Sequence, residues 1–76
     1  METSLDLLRP GVRAVVIKID AEPALCRRLR DFGLVTGTTV QCRYRCPWGA
    51  VATLELRGAT LALRTADMRK IRVRTQ

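Results

Sequence analysis

Seventy-six residues allow one small domain with a modest core, and an apolar content of 47% belongs to a folded chain rather than a disordered one. Fourteen Arg and Lys against seven Asp and Glu leave a net charge of +7, and twelve of the fourteen cations are arginine. That balance suits acidic partners (nucleic acid, an anionic membrane face or an acidic protein surface), and it equally serves plain solubility. No apolar run can span a bilayer, since "AVVI" ends at Lys18, and "METSLDLLRPG" lacks the basic start and apolar stretch of a signal peptide. The expectation is a soluble, cytoplasmic protein.

In chain order, "SLDLLRPG" offers a helical turn that Ser4 can cap and Pro10-Gly11 ends. Val12 to Ile19 is rich in β-branched residues and predicts a strand. "DAEPALCRRLRDFG" predicts a helix, with Asp20 or Glu22 at its start and Pro23 in its first turn. Leu25, Leu29 and Phe32 form its apolar stripe, while Arg27, Arg28 and Arg30 fall mainly on other faces, late enough to suit the negative end of the helix dipole. Gly33 then suits a left-handed helix end with Leu34 folding back on Leu29, and Gly37 suits the third position of a type II turn in "VTGT".

A strand follows in "TTVQCRYR", with Val40, Cys42 and Tyr44 on one face, and "CPWG" is a hairpin turn with Pro47 early and Gly49 late. "AVATLELR" places Ala52, Leu54 and Leu56 on one face, "RGAT" turns at Gly58, and "TLALR" brings Leu61 and Leu63 inward. "TADMRK" predicts one helical turn capped by Thr65, and "IRVRT" a last strand with Ile71 and Val73 in and Arg72 and Arg74 out. No repeat, low-complexity tract or linker interrupts the chain, so residues 1–76 read as a single domain of mainly β class. Five short strands with one helix and a helical turn before the last strand fit a small, partly open five-stranded barrel.

Catalytic constellations are scarce. There is no histidine, the one serine is Ser4, and the carboxylates Glu2, Asp6, Asp20, Glu22, Asp31, Glu55 and Asp67 are scattered. No phosphate-cradling glycine motif occurs, so the expectation is a non-enzyme with no cofactor. The cysteines, Cys26, Cys42 and Cys46, are odd in number and form no C-x-x-C pair, so they read as reduced, packed thiols rather than disulfides or a zinc site. Cys42 and Cys46 share a predicted strand face but lie roughly 13 Å apart at strand rise. Thiols pooled at a subunit contact leave adventitious metal binding open. No tight iron site is expected.

The strongest surface feature is "RYRCPWG". It gathers Arg43, Tyr44, Arg45 and the only tryptophan, Trp48, residue types that dominate binding hot spots and also stack on bases. The plainer alternative is aromatics capping a small core beside solvated arginines. Arg27 and Arg28 on the helix make a second cationic candidate.

The residues also carry a family resemblance. "LLRPGVRAVV", through Leu5, Leu8, Gly11 and Val15, is similar to the opening of the FeoA proteins, the small cytosolic components of bacterial ferrous iron uptake. "RLRDFGLVTGTTV" resembles the family's most specific motif through Leu29, Gly33, Leu34, Gly37 and Val40. "LELRGATLALRTADMRKIRV" resembles its closing hairpin and last strand through Leu56, Gly58, Leu61, Leu63, Arg64, Ile71 and Val73.

The resemblance implies an SH3-like barrel with an inserted helix. It further implies an accessory that binds the cytosolic part of FeoB, a ferrous iron transporter with a GTPase domain, and modulates its activity. Membrane association would then be indirect, through the transporter, and the family brings no catalytic residues to carry over. One departure is "CPWGAVATLEL", which lacks the family's acidic residue after Gly49. A basic small barrel that binds nucleic acid is the runner-up; no helix-turn-helix precedes the barrel, and no nucleic acid is expected as partner. An arginine supplied in trans to a GTPase is a third reading that the sequence cannot assign to one residue. Self-association into homo-oligomers stays open.

Overall fold

The computed structural model describes residues 1–46 and 48–76. Six strands form one sheet: β1 (Glu2–Ser4), β2 (Arg13–Ile19), β3 (Thr39–Arg45), β4 (Val51–Leu56), β5 (Ala59–Arg64) and β6 (Ile71–Thr75). Their order is β1-β6-β2-β3-β4-β5, and every neighbouring pair is antiparallel. A 3-10 turn (Leu5–Leu7) follows β1, helix α1 (Pro23–Asp31) joins β2 to β3, and a single helical turn, α2 (Thr65–Met68), joins β5 to β6.

The mainly β class agrees with the sequence, but there are six strands rather than five. The additional strand is β1, just before the helical turn that Ser4 was expected to cap. Glu2 to Ser4 carry no strand pattern of their own and pair with Arg74, Val73 and Arg72. The free side of β6 supplies those partners from the far end of the chain. The turn itself survives as Leu5–Leu7, and Ser4 precedes it without a side-chain capping bond.

One buried cluster draws on Ala14 and Val16 of β2, Val40 and Cys42 of β3, Ala52, Leu54 and Leu56 of β4, Leu63 of β5, and Ile71 and Val73 of β6. Leu5, Leu8, Leu25, Leu29, Leu34 and Met68 complete it. A flat sheet could not bring Leu5 and Leu63, from opposite ends of the strand order, into one cluster. Irregularities between Val16 and Lys18 and between Cys42 and Tyr44 break the register, and such bulges bend and twist a strand so that a sheet can curl.

The helix ends as its glycine requires. Gly33 has φ +85°, its N–H donates to Arg30 C=O at 2.9 Å, and Leu34 N–H donates to Leu29 C=O at 2.9 Å. These are the paired bonds of a Schellman end. Phe32, expected in the apolar stripe, is instead 57% exposed. The helix stops at Asp31, leaving Phe32 as the cap, and Leu34 enters the core in its place. Gly37 (φ +94°) sits in the turn closed by Thr38 N–H to Val35 C=O at 3.0 Å. Buried Thr38 holds that loop by donating its hydroxyl to Gly33 C=O at 3.0 Å.

Two expected caps are replaced by longer-range ties. Glu22 stands at the cap of α1 without a side-chain capping bond and pairs with Lys70 at 3.1 Å. Thr65 begins α2 but donates its hydroxyl to Gly49 C=O, and Arg64 occupies the cap position.

Candidate functional site

The expected binding residues lie where β3 runs into the β3–β4 loop. Two residues of β3, Arg43 and Tyr44, occupy the step where β4 advances only from Leu54 to Thr53. This bulge resets the alternation. Val40 and Cys42 point into the core, but Tyr44, expected on the same face, is 59% exposed. Arg45 turns the other way. Its Nε donates to Leu8 C=O at 3.2 Å and its Nη2 to the same oxygen at 2.7 Å, and Nη2 also donates to Asp6 C=O. A residue expected on the open cationic surface therefore ties the end of β3 to the N-terminal 3-10 turn.

The loop beyond is closed by Gly49 N–H donating to Cys46 C=O at 2.8 Å. The expected role of Pro47 in this turn lies outside the described residues. Thr65 fastens the loop to α2 twice, through its hydroxyl to Gly49 C=O and its N–H to Ala50 C=O at 2.9 Å. On this tethered loop Trp48 is 81% exposed, and Val51 at the start of β4 is 39% exposed. Apolar groups so placed are not capping the core. Arg43, on β3, is in a half-exposed pair with Glu55 at 3.8 Å.

Arg27, Arg28 and Arg30 are exposed on α1, and among the described residues none forms an ion pair. The expected residues thus divide into three places. Arg43, Tyr44 and Trp48 share the hairpin, Arg27 and Arg28 sit on the helix, and Arg45 serves the fold.

Two features escaped the sequence. A depression of about 350 Å³ is lined by Lys18, Asp20, Arg69, Lys70 and Arg72, where Lys18 and Arg72 face each other across β2 and β6. Only the bulge after Val16 sets that pairing. Arg57 adopts φ +52°, the one left-handed non-glycine among the described residues. The dipeptide Arg57-Gly58 was its only trace in the sequence.

The chemistry of the surface is that of binding. Among the described residues no three of Cys, Asp and Glu converge on a metal-sized site. Cys42 is fully buried, and Cys46 lies past the bulge, half-buried, so the two do not share the uninterrupted strand face expected of them. Cys26 donates its thiol to Ala21 C=O at 3.3 Å. The carboxyl of Glu22 is held below the usual range, first by a hydrogen bond from its own backbone N–H and then by Lys70. Among the described residues no helix is long and apolar enough to cross a membrane.

Comparison with known proteins gives these features a family. The FeoA domain model matches residues 3–75. A FeoA protein from Chlorobium tepidum is 34% identical, with a TM-score of 0.91 over 96% of this chain and 70% of that one. A FeoA-like protein from Clostridium acetobutylicum is 30% identical, with a TM-score of 0.86 over 97% of this chain and 86% of that one. A manganese-dependent transcriptional repressor shares the fold at 21% identity, with a TM-score of 0.89 over 99% of this chain but 42% of its own. No curated protein sequence matches significantly. With the SH3-like fold and nearly the whole length matched, the chain belongs to the FeoA family, small accessory domains of ferrous iron transport rather than a known enzyme family.

Proposed function

We propose that this protein binds the cytosolic part of a FeoB-type ferrous iron transporter and modulates the activity of its GTPase domain, acting in the cytoplasm without catalysis of its own. The observation that carries the reading is the β3–β4 loop. Trp48, 81% exposed, stands on a loop tied to α2, and Tyr44, 59% exposed, and Arg43 lie on the strand that leads into it. Exposed aromatic and arginine side chains are the types that form binding hot spots. Their position, with the acidic residue after Gly49 replaced by alanine, supports a contact that is apolar at its centre and cationic at its rim. Arg27, Arg28 and Arg30 supply a second cationic surface for the same acidic partner.

The test is binding of the purified cytosolic part of the transporter by calorimetry, with Trp48→Ala and Arg43→Glu beside the unmodified protein. Trp48→Ala should weaken binding by tenfold or more, on the order of 2 kcal/mol for a hot-spot aromatic. Absence of binding by the unmodified protein at tens of micromolar would remove the reading. GTP turnover with and without the protein then measures modulation.

A further inference from the structure

Strand β5 ends the sheet. Its hairpin with β4 turns on Arg57 and Gly58, with φ of +52° and +77°. That is a type I′ turn, whose closing pair is hydrogen-bonded. Counting from Leu56↔Ala59, the pairs Leu54↔Leu61 and Ala52↔Leu63 exchange hydrogen bonds, while Glu55↔Thr60 and Thr53↔Ala62 do not. The N–H and C=O groups of Thr60 and Ala62 therefore point away from β4. The opposite side of the ladder agrees, since Val51 C=O accepts from Cys46 N–H at 3.0 Å and so faces away from β5. Among the described residues no backbone group pairs with the outer side of β5.

Proteins commonly blunt an open edge with prolines, lysines, bulges or very short strands. The other edge, β1, is three residues long and its Glu2 pairs with Arg74 at 3.1 Å. By contrast, β5 is six residues long, in unbroken register with β4, and reads "ATLALR", with one charge at its end. Thr60 and Ala62 are exposed and small, leaving room for a neighbour's side chains.

We infer that the β5 edge docks an extended, acidic-ended segment of the protein partner, which adds to the sheet as a further strand. The occupant follows from charge. Exposed Arg57 and Arg64 stand at the two ends of the edge, in a chain of net charge +7. The Arg64–Asp67 pair, 3.7 Å apart with the arginine side chain 71% exposed, is a weak tie that an incoming carboxylate can replace. A second copy of this chain would bring like charges to both ends of the joint, whereas an acidic strand neutralises them while satisfying the outward backbone groups. The inference rests on the reading that the protein binds a cytosolic partner, and names how part of it is held.

Amide hydrogen exchange on the full-length protein tests it, alone and with the purified cytosolic part of the transporter. Binding should slow exchange at Thr60 and Ala62 by tenfold or more. Ala62→Pro removes one outward N–H while leaving the bonds to β4 in place, and prolines are tolerated on edge strands. It should weaken binding about tenfold, as for one lost interfacial hydrogen bond, where Ala62→Thr does not. Binding without protection at Thr60 and Ala62 overturns the inference and leaves the functional reading intact. So does unchanged affinity of a folded Ala62→Pro variant. Protection of these amides in the free protein that rises with its concentration assigns the edge to a second copy and also overturns it. No binding at all removes the functional reading and this inference together.

Discussion

Arg45→Ala measures what the inward turn of β3 contributes. In the native protein its guanidinium satisfies Leu8 C=O twice, at 3.2 and 2.7 Å, and Asp6 C=O once. Hydrogen bonds from a charged donor contribute about 1.5–3 kcal/mol, and truncation leaves two half-buried carbonyls to find water. Solvent reaches part of this site, so the loss should be about 2–3 kcal/mol in all. A chain of this size has about 4–11 kcal/mol of total stability, so a large share goes. The midpoint of thermal unfolding should fall by about 10–20 °C, and in urea the midpoint should drop at unchanged slope. Arg45→Lys keeps the charge but not the fork, and should lie between wild type and Arg45→Ala. Under conditions where the variant is folded, Arg45→Lys should bind the partner like wild type, since the guanidinium's donors are engaged with Leu8 and Asp6. A loss of stability below about 0.5 kcal/mol for Arg45→Ala would refute this account.

Gly33→Ala should lose about 1–2 kcal/mol in chemical denaturation. Its φ is +85°, and an added methyl would stand 3.4 Å from Arg57 Cδ, ordinary contact, so the loss is backbone strain rather than a clash. Arg57→Asn should gain about 0.5–1 kcal/mol in the same assay, since asparagine suits the left-handed turn position better. If the β5 inference holds, the same change also weakens partner binding, trading a contact for stability. Glu22 has a lowered pKa in the folded state, so its contribution is present above the usual carboxylate range and is lost as pH falls through the lowered value. Unfolding curves across the acid range should therefore show a shallower acid loss for Glu22→Gln than for wild type.

What could be read directly was what adjacent residues decide. The end of α1 at Gly33, the turns at Gly37 and Gly58 and the inward faces of β4 and β6 each depend on a few neighbouring positions. Local sterics and period-two alternation are sufficient there. The candidate surface was half legible. "RYRCPWG" drew attention to Trp48, Tyr44 and Arg43, but Tyr44 was assigned inward and Arg45 outward. Alternation cannot reveal a bulge, because the extra residue is set by the partner strand, and one extra residue reverses every face beyond it.

The amino-acid sequence alone determined the class, the family and the basic, histidine-free character of this protein. Tertiary structure decided which groups are left over. Glu2 to Ser4 became a strand because β6, some seventy residues away, had an open side. Arg45 became a brace because the bulge aimed it at Leu8 and Asp6. Among the described residues, the outer side of β5 kept its unpaired backbone because the strand order ends there. Hydrogen bonds between distant strands are long-range bargains. Side-chain pattern announces that a strand exists, but the partner that satisfies each edge is fixed only when the whole sheet has closed around its core.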